Sequence, residues 1–264
     1  MTKSHLGKMQ LWGTGKAHWD ITDNPYFQPD PVPDNPPAEP AVPPATAPDV
    51  PPVTAISTAP IELTDIVLYD MRGKPYRQYK RVILDGEAAK DANEQHLLLT
   101  QDQALAYHQQ RTPKYDVPST ALWAAMLRKM QEVHHPGLAG VVKDLKESWL
   151  ATSTRIDYAH NKVVHELGNN PYSIDINLPA EGWMKESKYQ NAVKALTGTK
   201  DVAVALAELE QASGKPAYLW TPDADGRKVL PERASWLNLI DYRLNFSCFD
   251  DLYDSGRSRG VRRE

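Results

Sequence analysis

Hydrophobic residues recur at two different spacings along this chain, and each spacing predicts a different element. Ile66-Val67-Leu68-Tyr69 and Tyr79-Lys80-Arg81-Val82-Ile83-Leu84 are short runs rich in β-branched and aromatic residues. Arg72-Gly73-Lys74-Pro75 lies between them with turn composition, so the pair predicts a hairpin. Thr100-Gln101-Asp102-Gln103 has the form of a capping box and predicts a helix to about Gln110, ended by Pro113. Pro118-Ser119 opens a second helix with Leu122, Met126, Leu127 and Met130 on one face, stopped at Pro136-Gly137. A third, Leu138 to Trp149, sets Val141, Val142, Leu145 and Trp149 on one side. Such stripes predict core faces.

The spacing then changes. Thr152 to Tyr158 and Lys162 to Leu167, around Ala159-His160-Asn161, read as a hairpin. Tyr172 to Leu178 alternates strictly and predicts a half-buried strand closed by Pro179. Two short helices follow, about Lys185 to Leu196 and Asp201 to Gln211, the second broken at Ser213-Gly214-Lys215-Pro216. The rest reads as all β: Ala217 to Thr221, Ala234 to Leu237, Arg243 to Phe249 and Arg259 to Arg262. The fold class is therefore α+β, with no internal repeat.

Composition divides the chain further. Residues 29–60 hold 12 of the 22 prolines and read as a semi-stiff, proline-rich linker. Residues 1–28 carry Trp12, Trp19, Tyr26 and Phe27 on a stretch too short for a core, and read either as an aromatic peptide that docks on a tethering partner or as a disordered tail. A mixed support domain is expected over 61–150 and a second domain over 151–264. The net charge of -4 gives no electrostatic reason to expect nucleic acid or an anionic membrane. No run of 18 apolar residues predicts a membrane span, and the N-terminal residues lack the apolar stretch of a signal peptide. The single Cys248 fits a reducing compartment, so the cytoplasm or a phage particle assembled there is expected.

His134-His135 read as cations at a helix end, and His160 and His165 as solvated hairpin residues. Cys248, with no His after His165, reads as a small buried hydrophobe rather than a nucleophile. Asp223-Ala224-Asp225-Gly226 lacks the distal Glu of an EF-hand loop and reads as a turn. No catalytic residue, metal ligand or cofactor is expected, a Ca²⁺ ion shared with the Asp250 region being the metal alternative left open. Arg257, Arg259, Arg262 and Arg263 are expected to pair with loop carbonyls and with Asp250, Asp251 and Asp254.

The final segment differs in kind. From Leu237 to Arg262 there is no Lys, Glu, Gln, Met or Trp. Those types fill 54 of 264 positions, so about five would be expected there. The window instead holds two of the three Phe and the only Cys. Aromatic, small polar and acidic residues together suit a recognition surface.

Arg233-Ala234-Ser235-Trp236, then Arg243-Leu244-Asn245-Phe246, then Gly256 with Arg259-Gly260-Val261-Arg262, resembles the closing segment of bacterial lectin-like domains related to the formylglycine-generating enzyme. It looks most like the variable proteins of diversity-generating retroelements. Ala234 stands where that pattern has Gly, and Val261 where it has Phe. The resemblance implies a C-type-lectin-like ligand-binding domain at 151–264 with a variable segment near 237–254. It also implies adenine-directed rewriting of AAY codons to NNY, which excludes the five missing types. Trp236, Leu237, Leu244, Phe246 and Val261 would be inward scaffold. Asn238, Ile240, Asp241, Tyr242, Asn245, Ser247, Phe249, Asp250, Asp251 and Tyr253 would form the adaptable ligand surface. The expected function is non-enzymatic recognition of a protein or cell-surface ligand. The alternatives are a structural subunit of a phage or other assembly, and a hydrolase using an acid pair among Asp223, Asp225 and Asp250.

Overall fold

The computed structural model describes residues 59–167 and 170–264, and, nearer the N-terminus, the backbone of two strands. These strands, β1 (Gly7–Trp12) and β2 (Lys16–Ile21), pair antiparallel as a hairpin. They belong to a unit of residues 1–47, and residues 48–264 form a second unit. The docking peptide expected over 1–28 otherwise lies outside the described residues, as do residues 29–58 of the expected linker.

The larger unit opens with the expected hairpin of β3 (Ile61–Tyr69) and β4 (Pro75–Leu84). At its turn the Asp70 carboxylate accepts from the backbone N–H groups of Arg72 and Lys74, each at 2.8 Å. A short β5 (Leu99–Thr100) leads into α1 (Gln101–Gln109). The capping box forms as its spacing predicts: Gln103 N–H donates to Thr100 Oγ1 at 3.3 Å, and Thr100 N–H donates to Gln103 Oε1 at 3.0 Å. Ser119 caps α2 (Thr120–Glu132), and α3 (Leu138–Glu147) follows. Three strands then pair antiparallel in turn: β6 (Leu150–Asp157), β7 (Lys162–His165) and β8 (Tyr172–Asp175).

Beyond β9 (Gly182–Trp183) and a 3-10 turn at Ser187–Tyr189 come α4 (Gln190–Thr197) and α5 (Val202–Ser213). Both helices end on a glycine in the left-handed region, Gly198 at φ +59° and Gly214 at φ +73°, where a Cβ would be strained. Then come β10 (Ala217–Trp220), α6 (Ala224–Val229), β11 (Glu232–Ile240), β12 (Arg243–Ser247), β13 (Ser255–Gly256) and β14 (Val261–Arg263).

The main sheet has seven strands in the order β8-β7-β6-β11-β12-β10-β9. Its pairs are antiparallel except β10 with β12. A second sheet, β14-β4-β3, brings the C-terminus back onto the opening hairpin, and β13 pairs with β5. The expected boundary near residue 150 does not appear. Leu63, Leu68 and Met126 share one hydrophobic core with Leu237, Phe246 and Val261. The hairpin and helices of 61–150 cover a sheet supplied by 150–247, so neither part has a core of its own.

Four local expectations are corrected. Trp149 follows α3 instead of lying on its apolar face, because the helix ends at Glu147. The end of the chain is not all β: Asp223 accepts from Gly226 N–H at 2.7 Å and opens α6. β11 runs on to Ile240, so Asn238 and Ile240 sit on a strand. His165 is fully buried, with Nδ1 at 2.8 Å from Thr154 Oγ1 and Nε2 at 2.8 Å from Ala195 O. Its strand is interior to the sheet, and α4 supplies the carbonyl that solvent would otherwise replace.

Candidate recognition face

The alternation of β11, β12 and β10 sends successive side chains to opposite faces of the sheet. On the inner face Leu237, Leu239, Leu244, Phe246 and Leu219 are buried in the core that holds Leu122 and Met126 of α2, Val193 of α4 and Leu209 of α5. On the outer face the register forms rows. Asn238 lies beside Asn245, Asn245 beside Tyr218, and Tyr218 beside Trp183. Trp236 lies beside Ser247, and Ser247 beside Trp220. Ile240 lies beside Arg243.

Part of this outer face is covered. Trp236 and Ala234 pack with Leu99, Ala104 and Tyr107, so β5 and α1 roof the sheet at β6 and the start of β11. Toward β9 the roof ends, and Trp183, Tyr218 and Trp220 are only half-buried. Trp220 stacks between Trp149, at 5.9 Å between centroids, and Phe249, at 5.3 Å. Trp183 meets Tyr218 edge to face at 5.1 Å. The Arg243 guanidinium lies over the Tyr218 ring at 4.0 Å and 5.2 Å from the Tyr242 centroid. Asn245 Nδ2 donates to Asn238 Oδ1 at 2.7 Å. Three buried polar atoms on this face have no hydrogen-bond partner: Asn245 Oδ1, Arg243 Nε and Trp236 Nε1. Unsatisfied buried groups are uncommon, and others lie away from this face, on Tyr76, Ser153 and Arg262.

The ligand residues expected from sequence divide by this geometry. Tyr242, Phe249 and Tyr253 are 57%, 40% and 90% exposed, and Asp241 is exposed. Asn238 and Ile240 are half-buried on the outer face. Asn245 and Ser247 do not form surface: they are 1% and 0% exposed. The reason is their strand. β12 is flanked on both sides, and its short outward side chains lie beside the longer Tyr218 and Trp220. Asp250 hydrogen-bonds Ser247, and Asp251 pairs with Arg233. Trp236, Leu237, Leu244, Phe246 and Val261 are buried. Sequence reasoning missed Trp149, Trp183, Tyr218, Trp220 and Arg243 as parts of this face. The alternation in Ala217-Tyr218-Leu219-Trp220 was a legible signal, since it sets two aromatic rings on one side.

Electrostatics separate the remaining candidates. Burial pushes the Asp250 carboxyl up to about 7, with Asp254 and Asp251 adding repulsion and the Ser247 hydroxyl opposing. Burial also raises the Cys248 thiol to about 12, which removes it as a nucleophile near neutral pH. Asp225 pairs with Lys228, and Asp223 is used in capping α6, so neither is joined to Asp250 as an acid pair. Among the described residues no group of three or more His, Cys, Asp or Glu could hold a metal ion. The C-terminal arginines find other acids than expected. Arg259 and Arg257 bind Asp144, Arg257 also binds Glu147, and Arg263 binds Asp116 and Glu166.

One buried trio has the composition of a hydrolytic triad. His108 Nε2 is 2.9 Å from Ser258 Oγ, and its Nδ1 is 4.0 Å from Asp85 Oδ2. Ser258 and His108 are fully buried, and Arg111 occupies Asp85. Burial, with Arg111 adding to it, lowers the His108 pKa to about 3, so the ring is a poor base. The trio fastens β14's approach to α1.

No family model, curated protein or solved structure matches this chain. No helix among the described residues is long and apolar enough to cross a membrane.

Proposed function

We propose that this chain is a non-enzymatic recognition protein whose ligand surface is the open outer face of the sheet, a variable protein with a C-type-lectin-like C-terminal region. The observation that carries the reading is the division of labour within β11 and β12. The inward residues are apolar and buried, while outward Asn238, Ile240 and Arg243 join Trp183, Tyr218 and Trp220 in a half-open aromatic and polar face. Rings with few rotamers supply contact area at small entropic cost, and amide and carboxylate groups supply adaptable hydrogen bonds. A face of this kind suits a broad protein contact.

Deep sequencing of the 3′ end of the gene in its native population tests this. Variation confined to codons for outward or loop positions, such as Asn238, Ile240, Tyr242, Phe249 and Tyr253, is expected, with Leu237, Leu239, Leu244 and Phe246 constant and a template copy nearby. A uniform 3′ end without a template would overturn the diversified reading and leave the structural-subunit reading first.

A further inference from the structure

We propose that the segment 249–254 is a proton-operated flap: it lies closed over Trp220 while the Asp250 carboxyl keeps its proton, and it opens when the carboxylate forms. The flap borders the recognition face, and its working depends on the contacts of the segment itself rather than on any ligand.

The segment joins β12 to β13 without regular structure. Few bonds hold it. Ala234 N–H donates to Asp250 O at 3.1 Å, Asp254 N–H donates to Asp251 O at 3.1 Å, and Asp251 N–H donates to Asp254 Oδ2 at 2.7 Å. The Phe249 ring stacks on Trp220 at 5.3 Å, and Leu252 packs against the cluster of Tyr107 and Trp236. Tyr253, beside it, is 90% exposed. A segment tied down this sparsely can open locally while the rest of the chain stays folded.

Three carboxyl groups fall among residues 250–254, and two guanidinium groups approach them. Arg233 joins Asp251 and spends its other donors on the carbonyls of Leu230 and Gly226. Arg227 of α6 is taken by the carbonyls of Leu178, Pro179 and Pro222. Among the described residues neither pairs with Asp250, whose carboxyl meets the fully buried Ser247 hydroxyl. Asp254 and Asp251 act on it from its own segment. Cys248 and Tyr158, whose hydroxyl donates to Cys248 O at 2.8 Å, face it from the sheet, and burial keeps both neutral near pH 7. A carboxyl so placed is at ease as the neutral acid. As an anion it has lost its water and meets two like charges.

Opening returns the carboxylate to solvent, lifts Phe249 from Trp220 and bares that ring on the recognition face. The closed carboxyl titrates at about 7 against an ordinary 3.8. Opening is therefore favoured more with each step of pH up to about 7, and the gain levels off above it.

Hydrogen exchange of the full chain at pH 5.5, 7 and 8.5 tests this, with each amide rate divided by that of an unstructured peptide of the same sequence. The opening constant for amides of 250–254 is expected to be about thirtyfold larger at pH 8.5 than at pH 5.5, while amides of β6 and β11 stay protected. With the three Phe replaced by 4-fluorophenylalanine, the Phe249 fluorine resonance should move with the same midpoint and that of Phe246 should not. Asp250→Asn should keep the segment closed throughout. Asp254→Asn removes one repelling charge and should move the midpoint to lower pH. Equal protection of the wild-type segment at pH 5.5 and 8.5 overturns the proposal. So does an equal rise in Asp250→Asn, or a midpoint that Asp254→Asn leaves in place. None of these results touches the recognition reading, which the gene sequencing decides.

Discussion

The two faces of β11 and β12 are built from alternate residues of the same few turns of sequence, yet they meet opposite conditions. Leu237, Leu239, Leu244 and Phe246 lie under α2, α4 and α5 with almost no exposure. Asn238, Ile240 and Arg243 face a region that α1 and β5 leave uncovered. The difference teaches how one strand pair can hold a fold constant while its other side changes. Burial energy is concentrated on residues pointing inward, about 25 cal/mol per Å² of apolar surface removed from water, so exchange of outward side chains leaves most of it intact. The exceptions are the enclosed Asn245 and Ser247, where the outer face is already interior.

The comparison can be broken most strongly from the inner side. Phe246→Ala leaves a cavity against the helices and should cost about 3–5 kcal/mol, read as a large drop in the denaturation midpoint. A loss below about 1 kcal/mol would mean that this face is not the one carrying stability.

Acid should act next, and the two faces should respond with opposite sign. Burial lowers His165 to about 4 from its ordinary 6.5, because the charged ring would lose its solvation between Thr154 and Ala195. The folded pKa lies below the unfolded one, so this stability is present above pH 6.5 and is lost as pH falls toward 4, on the order of 3 kcal/mol. His108 adds to the same acid loss. Melting temperatures at pH 7 and pH 4.5 measure it, and equal values would refute the buried-neutral assignment.

Asp250 near the outer face runs the other way. Its folded pKa of about 7 lies above the ordinary 3.8, so the folded chain loses stability as pH rises through that interval. Asp250→Asn should therefore raise stability at pH 8, on the order of 1 kcal/mol, with little change at pH 4. A destabilised variant at pH 8 would show that the charged form is the one the loop requires.

The smallest effect should come from the outermost residues. Tyr242→Ala and Tyr253→Ala remove side chains that are 57% and 90% exposed, and each should shift stability by less than about 0.5 kcal/mol. Binding of peptides selected on the wild-type chain should nevertheless weaken in Tyr242→Ala, measured by titration. Equal loss of folding would merge the two faces into one structural role.

Local signals in the chain were enough for much of the secondary structure. The Thr100 capping box, the Ser119 cap, the stripe of Leu122, Met126 and Met130, and the hairpin around Gly73 depend on residues within one or two turns of each other. The short helix at Asp223 was also local but read as a turn, since a six-residue helix and a turn begin with the same Asx contact. The inward role of Leu237, Leu244 and Phe246 agrees with the period of two, whereas Trp236, expected inward with them, points to the outer face and is buried there by α1 and β5.

Strand order, burial of particular polar groups and membership of the open face were decided by tertiary structure alone. Whether an outward residue reaches solvent depends on what lies across the sheet. Asn245 and Tyr242 are of the kinds expected at a surface, but only Tyr242 reaches one, because β12 is enclosed between β10 and β11. Arg259 found Asp144, 115 residues away, rather than the acids beside it in sequence. Trp183, Tyr218 and Arg243 converge because β9, β10 and β12 are neighbours. Composition and spacing determined which residues prefer water and which elements they form. The pairing of distant strands determined which of them meet, since long-range contacts are selected by the burial of the whole sheet and not by any local preference.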